Sequence, residues 1–236
     1  MVIHWTLTKF PSNLPTSGVG FLSPSELGQY ASYKFPKRRQ EWLLGRWAAK
    51  SLIQRLPAFQ TIPLDQIEIY NTSLGAPRVN FPAGGMEEPS FSLSHRDDYA
   101  FCAVIADPQV KTGVDLEKIE PREKHFLTDY FLPSEQLWVD SSPRNIRNLL
   151  TTLIWSAKES VLKALGVGLR WDTRQVEIGP PADSHFTSGE WHEIRVSTPS
   201  ETHPWFAWWC QRDEYILTVS GFQYLETHIK LFEQNL

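Results

Sequence analysis

The feature that most constrains this chain is that it repeats itself once. Pro24-Ser25-Glu26 returns as Pro133-Ser134-Glu135, Ala49-Lys50 as Ala157-Lys158, and Gln66-Ile67-Glu68-Ile69 as Gln175-Val176-Glu177-Ile178, at offsets of 109, 108 and 109. A fourth pair, Arg96-Asp97-Asp98-Tyr99 and Arg212-Asp213-Glu214-Tyr215, lies 116 apart, which a longer second-half hairpin around Asp183 to His203 would explain. Echoes in one constant order mean one supersecondary plan used twice. Each half reads as an opening strand, a Pro-Ser-Glu helix start, a long amphipathic helix, a short strand and a closing apolar strand. The expectation is an α+β fold of two similar halves in a pseudo-twofold duplication, each a small antiparallel sheet packed on a long helix. The boundary falls near Ala106-Asp107-Pro108-Gln109, giving halves 1–108 and 109–236 with a site in the cleft between them.

Local signals agree with this plan. Ser23 caps a helix that has Pro24 in its first turn and Glu26 positioned to reach back to the cap amide, whereas the second copy has Leu132 at the cap. Leu150, Leu153, Ile154, Ala157, Val161, Ala164 and Leu165 form one apolar stripe at helical spacing that ends at Gly166. A net charge of -4 gives no general attraction to nucleic acid or to an anionic membrane, so anion binding has to be local. No apolar run approaches the roughly 18 residues of a membrane span, and MVIHWTLTKF does not resemble a leader, so an unexported, cytoplasmic protein is expected; it is also expected to be a monomer. Cys102 and Cys210 lie in apolar strand-like text without zinc or disulfide spacing and read as buried thiols.

The symmetry fails at the acids. Asp115, Glu117 and Glu159 fall opposite Thr6, Thr8 and Ser51, so the frame is duplicated and the carboxylates are not. On a strand, Asp115 and Glu117 share one face, with Val114 and Leu116 on the other. Two adjacent carboxylates are either solvated or share a cation; magnesium takes such hard oxygen ligands together with waters and phosphates. Glu159, on the helix face away from the apolar stripe and one turn from Trp155 and Lys163, is placed to complete such a site or to make only a solvated pair with Lys163.

Gly113-Val114-Asp115-Leu116-Glu117, followed by Trp155-Ser156-Ala157-Lys158-Glu159-Ser160 and Lys163, resembles the paired signature of the 4′-phosphopantetheinyl transferase superfamily. Length and internal repetition make the chain most similar to the pseudo-dimeric, Sfp-type branch. The resemblance implies transfer of the phosphopantetheine arm of coenzyme A to a serine of an acyl or peptidyl carrier protein, with release of adenosine 3′,5′-bisphosphate. It implies magnesium, with manganese as the alternative, on Asp115, Glu117 and Glu159. Glu159 would be the base, directly or through water, Lys163 would act at the α-phosphate or leaving oxygen, and Lys158 would bind phosphate. Ser94 and His95 in Phe91-Ser92-Leu93-Ser94-His95 resemble a 3′-phosphate element, although Arg96 stands where serine is frequent. Arg46 and the basic run containing Lys37 and Arg38 match the family's nucleotide contacts. A family lysine is absent at Ala76, with Arg78 as its possible substitute. Glu135 reads as a helix cap, as its twin Glu26 does. Phe131 to Trp138 reads as either a carrier-docking surface or core. The other classes compatible with the acids are a magnesium-dependent nucleotide phosphohydrolase and a non-catalytic carrier-protein binder; neither membrane nor nucleic acid is expected as a partner.

Overall fold

A computed structural model describes residues 1–10, 18–81, 84–123, 125–181, 187–199, 204–222 and 230–234. The chain divides into two compact units, Met1–Val110 with Thr227–Leu236, and Lys111–Glu226.

The first unit opens with β1 (Val2–Lys9), followed by α1 (Pro24–Ser32) and the long α2 (Pro36–Gln54). Two hairpins follow, β2 (Glu68–Asn71) with β3 (Pro77–Asn80) and β4 (Ser90–Arg96) with β5 (Tyr99–Ile105). Leu44, Ala48, Ala49 and Leu52 of α2 pack on Ala100, Cys102 and Val104 of β5. The second unit runs β6 (Lys111–Lys118), the short α3 (Phe126–Tyr130), α4 (Pro133–Ser141), the long α5 (Arg147–Ala164), β7 (Glu177–Gly179), β8 (His192–Glu193), β9 (Arg195–Ser197), β10 (Trp205–Arg212) and β11 (Tyr215–Phe222), with α3 and β8 as additions to the order of the first. Its main sheet runs β6-β11-β10-β8, antiparallel throughout, and α5 buries Leu150, Leu153, Ala157 and Val161 on it. The mixed α and β character expected from the sequence is present. The hairpin expected around Asp183 to His203 lies partly outside the described residues.

The first sheet departs from expectation. A final strand, β12 (Lys230–Glu233), pairs parallel to β1, so the order is β12-β1-β5-β4 and the sheet is mixed rather than antiparallel. The terminal segment is therefore grouped with the first unit and not with 109–236. The cause is backbone chemistry: β1 would otherwise expose an unpaired row of N–H and C=O groups, and four extended residues satisfy it.

The echoes have a common physical origin. Glu26 accepts from the Ser23 amide at 2.8 Å and the Ile69 amide at 3.0 Å, and pairs with the ammonium of Lys50, which also donates to the Phe21 carbonyl at 2.8 Å. Glu135 accepts from the Leu132 and Ile178 amides at 2.8 Å each and pairs with Lys158 at 2.9 Å. Each network joins a helix start, a long helix and a short strand, which are the three places where the sequence repeats. At the start of α4 only the glutamate half of such a cap is present, because Leu132 offers no side-chain acceptor. In the fourth echo, Asp97 and Asp213 open two-residue hairpin loops at φ 51° and 52°, a left-handed conformation that aspartate tolerates better than most residues.

Candidate active site

The acid site is built within the second unit. In β6, Gly113, Asp115 and Glu117 alternate onto the face that meets α5. Gly113 is required there: a Cβ would sit 1.9 Å from the Ser160 carbonyl oxygen and 2.5 Å from the Ala164 amide nitrogen. The helix backbone therefore presses on the strand at a place where no side chain fits. Buried hydroxyls fix the remaining face, with Ser156 Oγ and Thr218 Oγ1 at 2.9 Å and Ser160 Oγ and Ser220 Oγ at 2.6 Å between α5 and β11. Close packing of this kind allows Glu159 and Lys163, one turn apart, to stand over the acids of β6.

Lys163 Nζ donates to Asp115 Oδ1 at 2.6 Å and lies 3.9 Å from Glu159 Oε2. Glu117 receives two donors, Arg122 at 2.9 Å and the indole N–H of Trp155 at 3.3 Å. Arg122 lies over the Phe126 ring, whose neighbours Tyr130 and Trp155 complete an edge-to-face aromatic cluster. Burial pushes the Glu159 carboxyl up to about 7, with the negative charge of Asp115 next in importance and Glu117 adding to it, against the opposing charges of Lys163 and Arg122. A carboxyl held near neutrality can take or give a proton under ordinary conditions.

The donor chemistry suits a hard divalent cation, since Asp115 and Glu117 on β6 both add to the raised proton affinity of Glu159 on α5. Among the described residues, however, no three acids are gathered closely enough to hold a metal ion. Lys163 and Arg122 provide the counter-charges.

Other expected site residues fall into two groups. Arg38 and His95 come together, with Arg38 Nη1 and His95 Nε2 at 3.1 Å and Glu41 within 3.6 and 3.8 Å of them. Lys37 is exposed in the first turn of α2, which no side chain caps, and Ser94 is buried beside His95. Lys158 requires correction. It is fully buried, donates to the carbonyls of Thr173 (3.0 Å) and Val176, and pairs with Glu135, so its ammonium is held by protein acceptors and not at the surface. Arg46 is 4% exposed, 3.6 Å from Glu26 and over the Trp42 ring. Arg78 forms a bidentate pair with Glu88. Phe131 and Trp138 pack in the core, while Leu137 is exposed.

Sequence reasoning missed Arg122 and the indole of Trp155 as partners of Glu117. The only available signal was a lone arginine four residues beyond the acid strand. It also missed a groove of about 510 Å³ lined by Phe126, Tyr130, Trp155, Leu169 and Trp171. No helix among the described residues is long and apolar enough to cross a membrane, and both cysteines are free and buried.

A family model described as the 4′-phosphopantetheinyl transferase superfamily matches residues 111–220, which contain every member of the acid site. The chain is 28% identical over 173 residues to the 4′-phosphopantetheinyl transferase gsp of Aneurinibacillus migulanus, covering 71% of this chain and 68% of that protein. It is 30% identical over 152 residues to the 4′-phosphopantetheinyl transferase HetI of Nostoc sp., covering 63% and 61%. A third relative is the L-aminoadipate-semialdehyde dehydrogenase-phosphopantetheinyl transferase of Mus musculus, 27% identical over 170 residues and covering 66% and 52%. The chain thus spans between about half and two thirds of the length of these relatives. The crystal structure of Thermotoga maritima holo-[acyl-carrier-protein] synthase aligns with a TM-score of 0.40 at 16% identity, over 49% of this chain and 64% of that one. The family model over residues 111–220 and these relatives agree in what they resemble: the stretch that carries the acid site is similar to 4′-phosphopantetheinyl transferases.

Proposed function

We propose that this protein is a 4′-phosphopantetheinyl transferase of the Sfp type, moving the phosphopantetheine arm of coenzyme A to a serine of an apo acyl or peptidyl carrier protein. The observation that carries this reading is Glu159, a carboxyl raised to about 7 and standing one turn from Lys163, which also grips Asp115. In the reaction, the carrier serine oxygen bonds to the pantetheine-side phosphorus as the phosphoanhydride P–O bond breaks. Adenosine 3′,5′-bisphosphate departs with the bridging oxygen.

Glu159 takes the serine proton, directly or through water, a role for which its elevated pKa suits it far better than an ordinary carboxylate. Lys163 supplies positive charge at the leaving oxygen. Asp115, Glu117 and Glu159 are the residues that would hold magnesium, or manganese in its place, with Lys163 and Arg122 yielding as counter-charges. Such an ion, when bound, would neutralise developing phosphate charge. Arg38 and His95, with Lys37 nearby, offer cationic groups for the 3′-phosphate of coenzyme A. The groove beside Trp155 suits the neutral, amide-bearing pantetheine arm, since it is walled by aromatic rings next to the acids. We read the recurrence of one network in both units as a duplication in which one copy acquired the acids. We further read the protein as an intracellular monomer with no nucleic-acid or membrane partner.

Intact-mass spectrometry of apo acyl and peptidyl carrier proteins, each incubated with this protein, coenzyme A and magnesium, tests the proposal. One phosphopantetheine gained per carrier, and lost with chelator, is expected. Coenzyme A cleavage without carrier would overturn it in favour of a hydrolase.

A further inference from the structure

Lys158 adjoins Glu159 in sequence but points roughly 100° around α5 from it, into the unit's interior. Its ammonium, fully buried, reaches three acceptors on two segments: Glu135 at the start of α4 (2.9 Å), and the Thr173 (3.0 Å) and Val176 carbonyls of the turn ahead of β7. Thr173 in turn donates its hydroxyl to the Tyr130 carbonyl at 2.8 Å. Thr173 and Tyr130 are walls of the groove against Trp155, and Trp155 donates to Glu117. A chain of direct contacts therefore runs from Lys158 to an acid of β6, while the helix turn carrying Lys158 also carries Glu159.

The first unit supplies an internal comparison. Lys50 and Glu26 repeat the construction, yet the residue after Lys50 is Ser51, and no acid site accompanies it. The ion pair is thus architectural in both units, but only in the second does it hold a helix face that bears chemistry. An ammonium enclosed by one carboxylate and two carbonyls has few alternative positions, because each lost acceptor would leave a buried polar group unmet. Rotation of α5 about its axis is what such an anchor prevents.

We propose that Lys158, through Glu135 and Thr173, is a positioning residue that fixes the rotation of α5, and with it the placement of Glu159, Lys163 and Trp155 over β6, rather than a phosphate ligand. The proposal rests on the transferase reading for its kinetic consequence and on geometry alone for its structural one. The test compares Lys158→Met, Glu135→Gln and Lys50→Met with the parent protein, by carrier-loading kinetics and by the 15N–1H resonance of the Trp155 indole, assigned with Trp155→Phe.

Lys158→Met and Glu135→Gln are expected to lower kcat by about 30-fold or more, as small misplacements at reacting groups do, and to shift the Trp155 indole resonance. KM for coenzyme A should stay within about threefold, and Lys50→Met should leave kcat per folded molecule and the resonance in place. Two results would overturn the proposal: a KM for coenzyme A that rises steeply at constant kcat, which marks a phosphate ligand, or equal kinetic and spectral effects from Lys50→Met, which mark general scaffolding. If Lys158→Met gives no soluble protein, Glu135→Gln decides by the same readouts. If the parent loads no carrier, the transferase reading fails, while the indole resonance still decides whether Lys158 positions α5.

Discussion

The ammonium of Lys163 lies 2.6 Å from the carboxylate of Asp115, and that carboxylate is nearly inaccessible to solvent. A cation of the protein's own therefore answers the acid expected to bind metal. Arg122 does the same for Glu117 at 2.9 Å. If Asp115, Glu117 and Glu159 hold a divalent ion, these two side chains compete with it. Arg122→Ala should then raise magnesium affinity by about fivefold, the effect of removing roughly 1 kcal/mol of competing attraction. Titration calorimetry, or manganese binding followed by electron paramagnetic resonance, measures it. Unchanged or weaker binding would show that Glu117 is not a ligand.

The raised pKa of Glu159 predicts an inverted pH dependence. A carboxyl at about 7 in the folded protein and about 4.5 in the unfolded chain binds its proton more tightly when folded. Its stabilising contribution is complete below about pH 4.5 and is lost as pH rises through about 7, a total of about 3 kcal/mol at most. Between pH 6 and 8, metal-free protein should lose about 1 kcal/mol that Glu159→Gln does not lose. Magnesium prefers the ionised carboxylate, so its stabilising effect should grow over the same interval. Parallel urea curves for the parent and Glu159→Gln at both pH values would refute the assignment.

Gly113 is where the sequence signature becomes mechanical. Alanine there would drive a Cβ into the backbone of α5, with no flexible side chain able to yield. Gly113→Ala should cost about 3 kcal/mol, toward the upper end of overpacking penalties, and should lift Lys163 away from Asp115. Chemical denaturation gives the first quantity. A stability within about 0.5 kcal/mol of the parent would mean that α5 does not press on β6 as described.

The acid site was legible because it obeys periodicity. Asp115 and Glu117 alternate on a strand, and Glu159 falls outside an apolar stripe that can be counted. Lys158 was not legible in the same way. Hydropathy treats lysine as a surface residue, and adjacency to Glu159 suggested a shared task, although a step of roughly 100° turns the next side chain well around the helix. Its burial follows from Glu135, a residue already recognised as a cap, together with the Ala-Lys echo at Ala49-Lys50; read jointly, the two would have indicated an internal ion pair. The burial of Arg46 was hidden for a related reason, since its partner Glu26 is twenty residues away in sequence. The parallel pairing of β12 with β1 joins opposite ends of the chain, a contact that no local pattern encodes.

The Arg38 and His95 pair gives the last prediction. These groups approach to 3.1 Å, and Glu41 lies near enough to hold both. If they receive the 3′-phosphate of coenzyme A, removing one should weaken the charged ligand and spare its dephosphorylated form. A charge-assisted hydrogen bond at a half-exposed site contributes about 1.5 kcal/mol, so His95→Ala should weaken coenzyme A by roughly tenfold and 3′-dephospho-coenzyme A by less than about twofold. Arg38→Ala should do the same, and the double variant should fall short of the product of the two effects, because each side chain helps to orient the other. Competition binding with the two nucleotides measures all four affinities. Equal losses for both ligands would move the contact elsewhere on coenzyme A. No loss for either would leave the pair as a surface tie between the start of α2 and the end of β4, where Glu41 already provides enough charge to hold it.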